Sequence, residues 1–260
     1  MITNELLKHY SLLKQKRHRL LEQKFLVEGT KLVAEGIESW LTCEIVFMSH
    51  EYVSGDSLRE EEIKSFTRRL RSKNIRFEII KNKELQKLTE TETPQGIVGV
   101  FNKPPKNEIT PKGVIIGLEN ISDPGNVGTI LRNCDWFGFR DVAIGRESAD
   151  LYNSKVIRSS MGAVFHLNII EGVNLPKYGA GLKHEGYRVF VADLDGLNLS
   201  DVNFREKKIL LVLCNEASGP SLEMMDICDC KVTIPRFGKA ESLNVASASA
   251  ILLAKIRNIF

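Results

Sequence analysis

No apolar run in the 260-residue sequence reaches the roughly 18–20 residues that a membrane-spanning helix requires. The first stretch, MITNELLKHYSLLKQKRHRLLEQK, has no uninterrupted apolar core ahead of a small-residue cleavage site, which argues against a secretory signal and predicts a cytoplasmic protein. Cysteine is scarce. Cys43, Cys134, Cys214, Cys228 and Cys230 are the five, an odd number scattered mostly through apolar runs, which fits reduced buried thiols rather than a disulfide framework. Cys228 and Cys230 lie close together, but no second Cys or His pair stands near them to complete a tetrahedral ligand set, so no metal is expected. The glycine fingerprint GxGxxG and the phosphate loop GxxxxGK[ST] are both missing, and so are internal repeats and low-complexity tracts.

What is present is a globular composition, 43% hydrophobic and 27% charged, at a length that favours two domains over one. The net charge of +3 is unevenly placed. Residues 1–103 hold 18 Lys+Arg against 15 Asp+Glu, whereas residues 104–260 hold 18 of each. Lys8, Lys14, Lys16, Arg17, Arg19 and Lys24 crowd the first 24 residues against Glu5 and Glu22. A basic helix of this kind can follow a phosphate backbone, and a plain solvated face is the alternative.

Helix and strand patterns alternate through the first hundred residues: a helix to about 22, FLVEG, a helix over 30–39, CEIVFMS, a helix over 58–73, RFEIIK, a short helix near 82–88, and QGIVGVF. This predicts a small α/β domain over 1–103. Residues 104–112, rich in Pro, Lys and Asn and without apolar period, read as a linker to a second domain over 113–260. There VIIGLE, DVAIG, VFHLNII, YRVFVAD, KILLVLC and KVTIPRF are near-continuous apolar strands, as a parallel sheet covered on both faces requires. SLNVASASAILLAKIRNIF reads as a long last helix with a small-residue face suited to close packing against another helix.

Three loops follow such strands: GLENISDPGNVGTILRNCDWFGF (117–139), LVLCNEASGPS (211–221) and IPRFGKAESLNVASASAILL (234–253). In an open α/β sheet, ligands bind outside the carboxyl ends of strands. Each loop also has an ordinary reading: Asp123-Pro124-Gly125 starts a helix, Glu216 is a surface acid, and Ser242 with Asn244 caps the last helix. Asn126 and Arg132 on the leading turns of the first helix have no use in a plain core helix. They are expected to face one cleft. His166 and His184, read as lying in a strand and a helix, are not expected to take part, and Arg158 reads equally as a site residue, a partner contact or a structural ion pair.

In order and spacing the three loops resemble the three motifs of the SpoU (TrmH-like) class of RNA ribose 2'-O-methyltransferases in the SPOUT superfamily. DLYNSKVIRSSMGAVFHLNI resembles that family's intervening segment, and KQKRHRLLEQKFLVEGTKLVAEGI its small amino-terminal RNA-substrate-binding domain, of ribosomal-protein-like fold. The resemblance implies an α/β knot over 113–260, a deep trefoil of the kind that is rare among folds. It implies S-adenosylmethionine as cofactor, held by Cys214, Glu216, Gly219, Ile234, Ser242 and Leu243, with catalytic work by Asn126, Arg132, Glu216, Ser242 and Asn244. It implies a homodimer through the knotted domain, acting on ribosomal RNA or transfer RNA. A silent RNA-binding or ribosome-assembly protein of the same fold, and an antibiotic-resistance methyltransferase with another target, are the rivals. One departure stands out: Cys214 occupies the place of the family's usual Gly, and a positive φ there would strain it.

Overall fold

The computed structural model describes residues 3–54, 57–105 and 112–259. Most of the expected linker, 106–111, lies outside the described residues. The chain divides into two compact units, Met1–Pro105 with Tyr152–Arg158, and Lys106–Leu151 with Ser159–Phe260.

The first unit opens with α1 (Asn4–Ser11), whose N-cap Thr3 accepts from Leu6 N through Oγ1 at 3.2 Å. The single basic helix expected to residue 22 is interrupted. A 3-10 turn over Leu12–Lys14 and an extended Gln15 separate α1 from α2 (Lys16–Glu22). Arg19 holds the break: it is buried and donates through Nη1 to Leu13 O at 2.9 Å and Lys14 O at 2.6 Å, carbonyls that a continuous helix would have used itself. One of the six basic residues is thus structural. Then follow β1 (Lys24–Glu28), α3 (Thr30–Glu38), β2 (Cys43–Ser49), α4 (His50–Val53), α5 (Ser57–Ser72), β3 (Arg76–Ile80), α6 (Asn82–Leu85) and β4 (Ile97–Asn102). The sheet order is β1-β4-β2-β3, with β2/β3 parallel and the other pairs antiparallel. Leu7, Leu13, Phe47 and Leu88 are in its core. Tyr152 packs here, 4.5 Å from Phe25 between ring centroids, with Lys103 Nζ 4.5 Å from its own ring.

Among the described residues the second unit is built on six strands: β5 (Val114–Glu119), β6 (Asp141–Gly145), β7 (Asn168–Val173), β8 (Arg188–Asn198), β9 (Ile209–Cys214) and β10 (Cys230–Thr233). Their order is β10-β8-β9-β5-β6-β7, and every neighbouring pair is parallel. β6 and β9 are buried along their whole length, which is why their sequences do not alternate. The helices are α7 (Pro124–Trp136), α8 (Ser154–Ser160), α9 (Leu175–His184), α10 (Leu222–Ile227) and α11 (Val245–Ile256), with α8 crossing the division between the units. Because β5 is flanked by β6 on one side and β9 on the other, the chain order switches at β5, and crevices open at the carboxyl ends.

Three local expectations are corrected. The run VFHLNII begins as a 3-10 turn over Ala163–Phe165 and joins the sheet only at Asn168, since left-handed Met161 and Gly162 reverse the chain after α8. His166 therefore lies outside a strand. KVTIPRF contributes only as far as Thr233, shortly before Pro235, which has no N–H for a ladder. The last helix starts at Val245, and its N-cap is Asn244, not Ser242. Among the described residues no helix is long and apolar enough to cross a membrane.

Candidate active site

One carboxylate, that of Glu216, meets the first amide of α11 and a side chain in the first turn of α7. Asp123, the N-cap of α7, accepts from Asn126 N through Oδ1 at 2.9 Å, with Pro124 at the first helical position. Asn244 caps α11 by accepting from Ala246 N at 3.0 Å and Ser247 N at 3.4 Å. Its Nδ2 donates to Asn126 Oδ1 at 3.0 Å and to Glu216 Oε1 at 3.1 Å. The same Glu216 oxygen accepts from Val245 N at 2.8 Å and Asn126 Nδ2 at 3.3 Å. A negative charge is thereby set against the positive end of a helix dipole. All three loops contribute to this cluster.

The loop after β9 is held from inside. Asn215 Oδ1 accepts from Ala217 N at 2.8 Å and Ser218 N at 3.3 Å, while its Nδ2 donates to Asn120 O at 3.1 Å. Gly219, at φ +63°, closes the turn by donating its N–H to Asn215 O at 2.9 Å. The left-handed position is thus filled by glycine. Cys214 is absent from the residues of positive φ, so the strain foreseen for it does not arise. Its thiol instead points at buried Glu119, 3.4 Å from Oε2, and Glu119 also accepts from Ser221 N at 3.2 Å and Ser221 Oγ at 2.7 Å. Burial, reinforced by the Glu119 charge, pushes the Cys214 pKa far up and keeps the thiol protonated.

Beside the cluster, at the carboxyl ends of β8, β9 and β10, lies a cavity of about 700 Å³. Its wall includes Cys214, Glu216, Gly219, Ile234, Ser242 and Leu243. It also includes Asp193, Leu194 and Asp195, which sequence reasoning missed. They reach it because β8 leaves register with β10 after Val191 and rejoins at Leu197, so that Ala192–Gly196 bulge out of the ladder. Gly196 makes the return possible, since a Cβ there would stand 2.5 Å from Val232 N and C. The available signal was the pair of aspartates in VADLDG at the end of an apolar strand. Among the described residues four carboxylates, Asp193, Asp195, Glu216 and Glu241, line the cavity against one cation, Arg236. The volume lies within the roughly 300–1,000 Å³ of small-molecule sites.

The sequence profile of the SpoU rRNA methylase family matches residues 113–254, and that of the MRM3-like substrate-binding domain matches residues 4–99. The chain belongs to the SpoU rRNA methylase family. It is 31% identical to the Bacillus subtilis 23S rRNA (guanosine(2553)-2'-O)-methyltransferase RlmP over 98% of this chain and 96% of that protein. A solved structure from Porphyromonas gingivalis, described as a putative RNA methyltransferase of the TrmH family, is 31% identical and superposes with a TM-score of 0.84, covering all of both chains. The SpoU methyltransferase AviRb from Streptomyces viridochromogenes, solved with AdoMet, superposes at 0.83 over 99% of this chain and 98% of its own, with 23% identity, a likeness of fold.

In this SpoU methylase Arg132 stands apart from the asparagine cluster. It is exposed and among the described residues forms no hydrogen bond or ion pair. Six residues after Asn126, it is turned about 120° around the helix axis and set roughly 9 Å along it. The residue on Asn126's own stripe is Asn133, which ties α7 to α11 by donating to Ala246 O at 2.9 Å and Ser249 Oγ at 2.8 Å. Two of the small residues of α11, Ala246 and Ser249, thereby meet α7 of the same chain. Ser242 lines the cavity without a hydrogen bond among the described residues. His166 Nδ1 lies 3.0 Å from Asp135 Oδ2, and neither His166 nor His184 borders the cavity. Arg158 stands 4.0 Å from Glu28, an ion pair within the first unit.

Proposed function

We propose that this protein transfers a methyl group from S-adenosylmethionine to a ribose 2'-hydroxyl of ribosomal RNA. What supports it is the cavity: apolar walls and four carboxylates suit a molecule with an apolar ring and a positively charged sulfonium and ammonium, and the family match and the name of the Bacillus subtilis relative supply the reaction. The bound cofactor would bring an electrophilic methyl group on sulfur.

The protein's task is positioning. Cys214, Gly219, Ile234 and Leu243 would enclose the cofactor, with Glu216, Asp193 and Asp195 favouring its positive charge. Asn126, Ser242 and Asn244 would present hydrogen-bonding groups to the ribose and cofactor. A hydroxyl held about 3 Å from the methyl carbon and in line with its bond to sulfur needs little more than a lowered pKa. Arg132 is assigned that role. A guanidinium offers only N–H donors and no acceptor, so we assign it the phosphate beside the target ribose and the negative charge growing on the 2'-oxygen, not the part of a base. Its exposure, without a partner among the described residues, fits a group that meets RNA.

Residues 1–103 form the RNA-binding domain in this proposal and 113–260 the catalytic one, with the carboxyl-terminal segment threaded as a trefoil knot and the protein dimeric through that domain in the cytoplasm. Every residue lining the cavity falls between 192 and 252, so deletion of the first domain should weaken RNA binding and its salt dependence while leaving cofactor affinity near its original value. The deciding experiment maps ribose methylation on total RNA from cells with and without the gene, and repeats the transfer with purified protein. One lost 2'-O-methyl position restored in vitro establishes the reaction. No lost position and no transfer would make this a silent RNA-binding protein.

A further inference from the structure

Phe237 is 97% exposed, the most exposed of the large apolar side chains among the described residues, yet it borders the cofactor cavity. Ordinary surfaces expose single apolar groups, but this one stands at the rim where a methyl group would be delivered. Its loop is built to hold it outward. Arg236, just before it, donates through Nη1 to Ala240 O at 3.2 Å and to Glu241 O at 3.5 Å, which closes the chain around Phe237 and Gly238. Exposed Lys239 follows two residues later. An aromatic ring between two cations, at the mouth of a site whose substrate is RNA, is the pattern by which proteins bind unpaired nucleotides: the ring stacks on a base and the cations meet the backbone.

We propose that Phe237 is the stacking platform for an unpaired nucleobase beside the target ribose, so that the loop 234–243 holds both cofactor and RNA. This rests on the function proposed above. A ribose in a stacked A-form helix presents its 2'-hydroxyl in a shallow groove, and pulling its nucleotide out of the stack leaves a bare base that needs a new face. Phe237 supplies that face. Stacking carries no hydrogen-bond code, so the platform fixes where the ribose sits and leaves base identity to other contacts.

The test uses the full-length protein and ribosomal RNA purified from cells lacking the gene. Phe237→Ala should lower RNA affinity about 5- to 150-fold, as removal of one stacked base does elsewhere. Phe237→Trp should restore it. Because stacking releases no counterion, the slope of log affinity against log salt should be that of the unsubstituted protein, whereas Arg236→Gln should reduce it by about one. Calorimetry with S-adenosylmethionine should show equal affinity for Phe237→Ala and the parent. If cofactor affinity falls while RNA affinity holds, the ring covers the cofactor and the proposal is wrong. If Phe237→Ala changes the sedimentation of the protein alone, the ring meets a second copy, which also overturns it. Failure of the underlying function is separable, because the unsubstituted protein would then methylate no RNA in the parallel reaction.

Discussion

Replacing Glu216 separates a surface acid from a junction between two helix ends. Glu216→Ala removes the single oxygen that accepts from Val245 N, Asn244 Nδ2 and Asn126 Nδ2. Each such bond contributes about 0.5–1.5 kcal/mol net, and a negative charge at a helix N-terminus about 0.3–1 kcal/mol. Glu216 is exposed, so water takes up the released donors and the loss should fall near the low end of the sum, about 2 kcal/mol. The readout is hydrogen exchange at the Val245 amide, whose partner is the carboxylate itself. A loss of about 2 kcal/mol means exchange about 30-fold faster there, with the Ile256 amide at the far end of α11 as an unchanged control. Glu216→Gln leaves an oxygen in place and removes the charge, so exchange should quicken only about 2- to 5-fold. Methyl transfer should fall in the same order. A Val245 amide that exchanges at the parent rate in Glu216→Ala would refute the junction.

Arg132 is exposed and has no partner among the described residues, so Arg132→Lys and Arg132→Ala should change unfolding free energy by less than about 0.5 kcal/mol, while single-turnover methylation falls by roughly 10–1000-fold in the lysine form and further in the alanine form. Their residual rate should rise with pH as the hydroxyl ionises unaided, and a parent rate in Arg132→Ala would remove this residue from the mechanism. Gly196→Ala forces a Cβ against the Val232 backbone, so the bulge carrying Asp193 and Asp195 must shift; calorimetry should show weakened cofactor binding with the protein still folded, and unchanged affinity would mean the bulge is immaterial. At Asp229, burial by itself would raise the carboxyl, but Lys183 Nζ at 2.7 Å and Val189 N at 2.8 Å more than offset it and its pKa lies below the usual range. That contribution is present above the unfolded value of about 3.9 and is lost as pH falls through the folded one. Urea titrations from pH 6 down to pH 2 should therefore show a steeper loss below about pH 4 for the parent than for Asp229→Asn, and parallel profiles would contradict it.

By itself the sequence determined what is local or periodic. The continuous apolar runs of β6 and β9 specify strands buried on both faces, and hence a parallel sheet with helices over it. Asp123-Pro124 specifies the start of α7 through a cap and a fixed φ, both properties of adjacent residues. The family was legible for the same reason, since three short motifs in register do not depend on knowing where they meet. Tertiary structure decided whatever depends on partners distant in sequence. The break in the first helix is held by Arg19, whose guanidinium meets carbonyls that a continuous helix would have consumed. The Ala192–Gly196 bulge exists only where β10 pairs with β8, so no property of VADLDG alone places Asp193 at a cavity. Cys214 escapes strain because the left-handed turn falls at Gly219 and buried Glu119 receives its thiol. Asn126, Glu216 and Asn244 lie 90, 28 and 118 residues apart in pairs, and helix periodicity along α7 says nothing of which carboxylate or amide will face them. Their meeting is set by the sheet order, which brings the carboxyl ends of β5 and β9 side by side and so puts α7 within reach of the loop that carries Glu216.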